Sequence, residues 1–134
     1  MKSRPLRETR ARRVRKRADF DRIQRGGERV NTRRFVLILA LQPEGRACRL
    51  GVTASRKIGG AVVRNRAKRL VREAFRQTAA LWQPGIDLVV IVRRPLDETR
   101  LSDVVSEWQA ASGQLRRRMQ ALLAGGPNAG KNPG

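Results

Sequence analysis

SRKIGGAVVRNRAKRLVRE, residues 55–73, carries seven Lys or Arg and a single acid, Glu73, at its far end. Gly59-Gly60 interrupts the chain, and the residues after it keep helical spacing over 61–78. At about 100° per residue, Val63, Ala67, Leu70, Val71, Ala74 and Phe75 share one arc, which is the core-facing side. Asn65, Lys68, Arg69, Arg72 and Arg76 fill the adjoining arc, with Arg64 at the boundary. The predicted helix is therefore amphipathic, and its polar side is almost wholly cationic.

That arrangement breaks two local rules. The start of a helix carries partial positive charge, so Arg64 and Arg66 there are unfavourable. Arg64 and Lys68, then Lys68 and Arg72, stand at i,i+4, where like charges repel by roughly a few tenths of a kcal/mol per pair. No acid occurs from Gly45 to Arg72, while nine Lys or Arg do. Local rules tend to break at functional sites. A bound phosphate chain relieves the repulsion and can accept hydrogen bonds from amides near Gly60 and Ala61. A merely solvated face mixes charge signs. A membrane-surface helix needs its apolar face free to insert, and here that face is required by the core.

The whole chain agrees with a polyanionic partner. Its 134 residues suit one domain, and 31 Lys or Arg against 11 Asp or Glu give a net charge of +20. Arg supplies 26 of the 31 cations. Its planar fork fits phosphate better than an ammonium does. A genome rich in Arg codons explains part of that bias but not the excess over acids. Histidine is absent, which excludes Cys/His zinc sites and His-based proton transfer. The carboxylates are scattered, with no pair spaced for catalysis, so another molecule is expected to supply any reacting groups. Cys48 has no partner for a disulfide and reads as a packing residue in a reducing cytoplasm. No stretch approaches the about 20 apolar residues of a membrane span.

Working outward, residues 1–17 hold nine cations and one acid, Glu8, and read as a flexible basic arm without the apolar run of a secretory signal. A short helix is predicted over 19–25, capped by Asp19 and stopped by Gly26-Gly27. FVLILAL (35–41) reads as a buried strand and CRLGVTAS (48–55) as the second arm of a hairpin, with Leu50, Val52 and Ala54 toward the core. IDLVVIV (86–92) is a third strand. A last helix over 100–123 carries the stripe Leu101, Val104, Val105, Trp108, Leu115, Met119 and Leu122. Residues 124–134 form a flexible tail, which leaves 18–123 as the domain. These elements predict a small α+β domain with helices on one face of a sheet, the opposite face open at least in part.

The residues around the cationic helix resemble the bacterial ribonuclease P protein subunit, whose signature centres on Arg-Asn-Arg followed by Lys-Arg and a further Arg. Here these are Arg64, Asn65, Arg66, Lys68, Arg69 and Arg72, preceded by Arg56 and Lys57. ADF (18–20), RRFVL (33–37) and RLGVTAS (49–55) lie in the expected order, so the resemblance spans roughly 15–120. It implies an α-β-β-β-α-β-α order, one strand more than the patterning gives, and a left-handed crossover against the usual rule. It implies a partner too: a catalytic RNA that holds the active site and its Mg2+, and with which the protein removes the 5′ leader of precursor tRNA. No cofactor of the protein itself and no protein partner is implied, and metal contacts of the protein are left open.

By the same resemblance the signature helix lies against the catalytic RNA, and a cleft between the first helix and the sheet holds the leader. Phe20, Phe35, Thr53 and Ser55 carry over to that cleft. Core packing is the alternative reading for both phenylalanines. The sequence departs from the family at Gln24 and Ile38, where members often carry aromatics, and it has no Tyr. Leader stacking is accordingly expected to be weaker. Three other readings share the charge: a ribosomal or chaperone-like RNA-binding protein, a protein-only nuclease, which needs clustered carboxylates, and a DNA-binding regulator, for which helix-turn-helix spacing is lacking.

Overall fold

The computed structural model describes residues 13–125. Its elements run α1 (Arg17–Gly26), β1 (Glu28–Asn31), β2 (Phe35–Leu41), β3 (Arg49–Thr53), α2 (Ala61–Gln77), β4 (Ile86–Val92), α3 (Leu101–Ala110) and α4 (Ser112–Leu123). The four strands form one sheet in the order β1-β2-β4-β3. The fold is α+β, with the strand β1 that the family resemblance implied and the patterning missed. In β1 only Val30 is buried, so four residues leave no period to read.

β2 and β4 are the two interior strands, which explains their unbroken apolar composition: helices cover both of their faces. Phe35, Leu37 and Leu39 of β2, with Leu88, Val90 and Val92 of β4, point into the larger core under α2, α3 and α4. Ile38, Ala40 and Val89 point the other way, against Ile23 of α1 and against Val14. Three helices thus share one face, and α1 covers part of the other. Trp108 and Met119 are fully buried core residues, and Cys48 is buried too.

The hairpin expected between β2 and β3 is not formed. β4 inserts between them, antiparallel to β2 from Phe35↔Val92 to Leu41↔Ile86 and parallel to β3 from Arg49↔Asp87 to Thr53↔Ile91. The two apolar runs need cover on both sides and take the interior. β3, with Arg49 and Thr53, is left at an edge, although Leu50 and Val52 do face the larger core. Gly85 fixes the exchange between the arms of the β2–β3 turn: its carbonyl accepts from the Gln42 amide (2.8 Å) and its amide donates to the Arg46 carbonyl (2.7 Å).

Other boundaries move for local reasons. α1 begins at Arg17 with Lys16 as its cap, so Asp19 sits inside the first turn rather than capping it. The single last helix is two, broken at Ala111 (φ −93°, ψ 5°), next to a Ser112-Gly113 pair of the kind that bends helices. Of the basic arm drawn over 1–17, residues 1–12 lie outside the described residues. Val14 is buried and its amide donates to the Leu50 carbonyl at 2.9 Å. Of the tail, 126–134 lie outside the described residues.

One buried acid ties the α1 side together. Asp87 of β4 is 0% exposed. It accepts from Arg22 of α1 (2.8 Å), from Nε and Nη2 of Arg49 of β3 (2.9 and 2.8 Å), and from the Gln42 amide nitrogen (3.1 Å). The hydrogen bond to Asp87 raises the Arg49 guanidinium above its ordinary value. Burial opposes this, and the charges of Asp87, Asp19 and Glu44 add to it. Replacing Asp87 by Ala is expected to cost about 3 kcal/mol, the lower part of the range for breaking a buried pair, because both arginines can turn toward water. Urea denaturation checks this. Arg49→Ala must cost less, since Arg22 still bonds the carboxylate, and equal losses would show that Asp87 is not the keystone.

Candidate nucleic-acid interface

The cationic helix forms where the spacing placed it. Ala67, Val71, Ala74 and Phe75 are buried against the sheet and α3, and Val63 and Leu70 are half-buried. Asn65, Arg66 and Arg69 are exposed, and Arg64, Lys68 and Arg72 are half-buried along the flank. The start of the helix is set by Gly59, whose φ of 144° favours glycine and whose Cβ, were one present, would lie 2.8 Å from Val63 Cβ. Gly60 then caps α2 without a side chain. Arg56 and Lys57 stand exposed on a single tight turn, Arg56–Ile58.

The electrostatics of this face follow from where the nearest acid goes. Glu73 accepts from Arg76 one turn on, at 2.5 Å, at the far end of the helix. Among the described residues Arg56, Lys57, Arg64, Lys68 and Arg69 have no ion pair with an acid. Arg66 spends one donor on the Leu96 carbonyl (2.5 Å), tying α2 to the segment before α3. Arg64 Nε is buried and has no hydrogen-bond partner among the described residues. The signature therefore presents point charges and guanidinium forks on a rigid, packed helix, as phosphate recognition requires.

A second surface lies on the opposite side of the sheet. Phe20, Gln24 and Thr53 line an open groove together with Arg15, Arg17 and Asp21. Phe20 is half-buried, its ring seated on Gly51, and only glycine there allows so close an approach. Two of the four expected cleft residues, Phe20 and Thr53, therefore meet. Phe35 does not join them: it is 0% exposed, on the other face of β2, with its ring 5.8 Å from Trp108. The alternation along β2 decides this, since odd-numbered residues face the larger core. Ser55 lies past the end of β3, where its hydroxyl accepts from the Lys57 amide (3.2 Å) and caps the turn. Ile38 is buried beneath α1, while Gln24 faces the groove.

Arg15 and Arg17 in the groove were not singled out from the sequence, and neither was Gly51. A glycine inside a strand was the available signal for close approach. Among the described residues no group of three or more Cys, Asp or Glu is placed to hold a metal ion, and no helix is long and apolar enough to cross a membrane.

The family model for ribonuclease P matches residues 9–116. The chain belongs to the ribonuclease P protein family. It is 36% identical over 97 residues to the ribonuclease P protein component of Bacillus velezensis, covering 72% of this chain and 83% of that one. With the component of Brevibacillus brevis it shares 34% over 122 residues, or 91% and 97% of the two chains. The RNase P protein of Thermotoga maritima superposes with a TM-score of 0.66 at 32% identity, over 76% of this chain and 96% of that. A Staphylococcus aureus RNase P protein mutant with defective mRNA degradation activity gives 0.70 at 31%, over 79% and 89%. Family membership places the protein in tRNA processing, in an endoribonuclease holoenzyme with an RNA partner.

A Cβ at position 51 would lie 2.7 Å from Phe20 Cε1 and 3.0 Å from Val14 Cβ. Gly51→Ala is expected to cost about 1–3 kcal/mol by overpacking. In a denaturation cycle, Phe20→Ala should recover most of that loss. No recovery would mean that the ring is not seated on Gly51.

Proposed function

We propose that this protein is the accessory subunit of a cytoplasmic ribonuclease P, binding the catalytic RNA through α2 and the 5′ leader of precursor tRNA through the groove under α1. The RNA supplies the active site and the Mg2+ that cleavage requires. The protein raises substrate affinity and holds the RNA in its working form. The observation that carries this reading is the separation of charge on α2: Arg64 and Lys68, half-buried on the flank, and the exposed Arg69 have no acid partner among the described residues, while Glu73 is committed to Arg76.

The groove fits a single strand. One half-buried ring, Phe20, offers a stacking surface for a base, worth about 1–3 kcal/mol without demanding sequence. Arg15 and Arg17 beside it suit the backbone. With Phe35 in the core, one ring serves where two were expected, and the leader depends more on phosphate contacts.

The deciding experiment is cleavage of precursor tRNA by the cognate catalytic RNA at low magnesium, with and without the protein. Restored cleavage that favours longer leaders supports the reading, whereas RNA binding without any change in cleavage overturns it. The site itself is tested by Arg64→Ala, Lys68→Ala and Arg69→Ala together. The slope of log affinity for the catalytic RNA against log salt should fall by about two to three. Arg116→Ala with Arg117→Ala, at exposed positions on α4, should change it much less. Equal changes per charge removed would assign the effect to net charge.

A further inference from the structure

The groove is not the end of the concave surface on the α1 side. A second basin, of about 370 Å³, opens between residues that precede or begin α1 and the turn between β2 and β3. Arg13, Arg15 and Lys16 line one side, and Glu44, Arg46 and Arg49 line the other. Arg15 lines both the basin and the groove. We propose that the two form one track. A single RNA strand seated on Phe20 continues past Arg15 into the basin, where Arg15, Lys16 and Arg46 take the phosphates of the distal part of the leader. This rests on the leader reading of the groove.

Charge and shape both select that occupant. Five cations face the basin, Arg13, Arg15, Lys16, Arg46 and Arg49, against two acids, Asp19 and Glu44. The acid behind it, Asp87, is already met by Arg22 and Arg49. No aromatic ring lines the basin, so it reads backbone rather than bases and suits a leader of any sequence. Residues 1–12 carry five cations and one acid, the same sign as the basin, and are a poor occupant on charge alone. Arg46 is also well founded. Its amide donates to Gln42 Oε1 (2.7 Å) and its carbonyl accepts from Gly85 (2.7 Å), so the turn survives removal of the side chain. β3 sets the distance. Arg49 to Thr53 spans about 13 Å at strand rise, room for at most about four nucleotides, the number a fully stacked strand would place there.

The test uses the assembled holoenzyme and precursor tRNAs whose leaders are lengthened one nucleotide at a time. Wild-type affinity should rise in two increments, the second beginning no more than about four nucleotides after the first. Lys16→Ala combined with Arg46→Ala should remove the second increment and keep the first. For long leaders its salt slope should fall by about one to two. A loss of equal size at every leader length, or no loss, overturns the proposal. Phe20→Ala separates this from the underlying reading: it should remove the first increment. If it leaves both increments intact the groove reading falls, whereas loss with Phe20→Ala but not with the cation variant sinks the extension alone. A single cooperative urea transition that leaves each variant fully folded under the assay conditions excludes misfolding as the cause, even where Phe20→Ala lowers the midpoint.

Discussion

Asp87 is the constraint on which the arrangement of this small domain turns. A buried carboxylate near the start of a two-sided apolar strand is tolerable only if its charge is met where it lies. Arg22, Arg49 and Gln42 meet it from three elements at once, so α1, β3 and the β2–β3 turn are positioned by one side chain. Placing α1 there creates the groove, because the ring of Phe20 is held over Gly51 and beside Thr53. The same network orients Arg49 at the edge of the basin.

In a chain of net charge +20, acids are scarce, and where they go decides which surfaces stay cationic. Glu107 receives both the amide and the guanidinium of Arg34, joining α3 to the start of β2. Glu28 meets Arg118, joining β1 to α4. Both pairs are half-buried, and each is expected to contribute less than the fully buried Asp87 network. Their placement still matters, because they pair cations at junctions between elements. The outward face of α2 between Arg64 and Arg69 receives none among the described residues. Self-repulsion along that face costs folding free energy, and a polyanion that binds only the folded chain returns it by mass action.

How far this was legible in the sequence depends on what pattern reports. Periodicity reports burial, so FVLILAL, IDLVVIV and the α2 wheel identified the interior strands and the cationic face. It does not report neighbours. Nothing in the β2–β3 turn says that a strand forty residues on will enter between its arms, and the hairpin expectation failed for that reason. Phe20 and Phe35 make the same point at the level of one side chain. Both are phenylalanines in segments the family resemblance singles out, yet one floors a groove and the other packs on Trp108. Alternation on β2 was the available discriminator, and it requires knowing which face each core occupies. The lone Asp within IDLVVIV and the glycine within RLGVT were the local irregularities that marked the α1 side.

The two candidate RNA surfaces lie on opposite faces of the sheet, yet they are close in the chain. β3 ends at Thr53, which lines the groove, and α2 begins at Ala61. The seven residues between them, 54–60, include the exposed Arg56 and Lys57 on a turn closed by the Ser55 hydroxyl and redirected by Gly59. In the proposed complex, an RNA strand leaving the groove at its Thr53 end therefore reaches the catalytic RNA on α2 across this turn alone. A rigid link between the surfaces fixes the register between the leader and the RNA that cuts it, which a flexible linker could not do. If the strand takes that path, Gly59 and Ser55 would influence where cleavage falls without touching the reacting phosphate, because they set the shape of the turn.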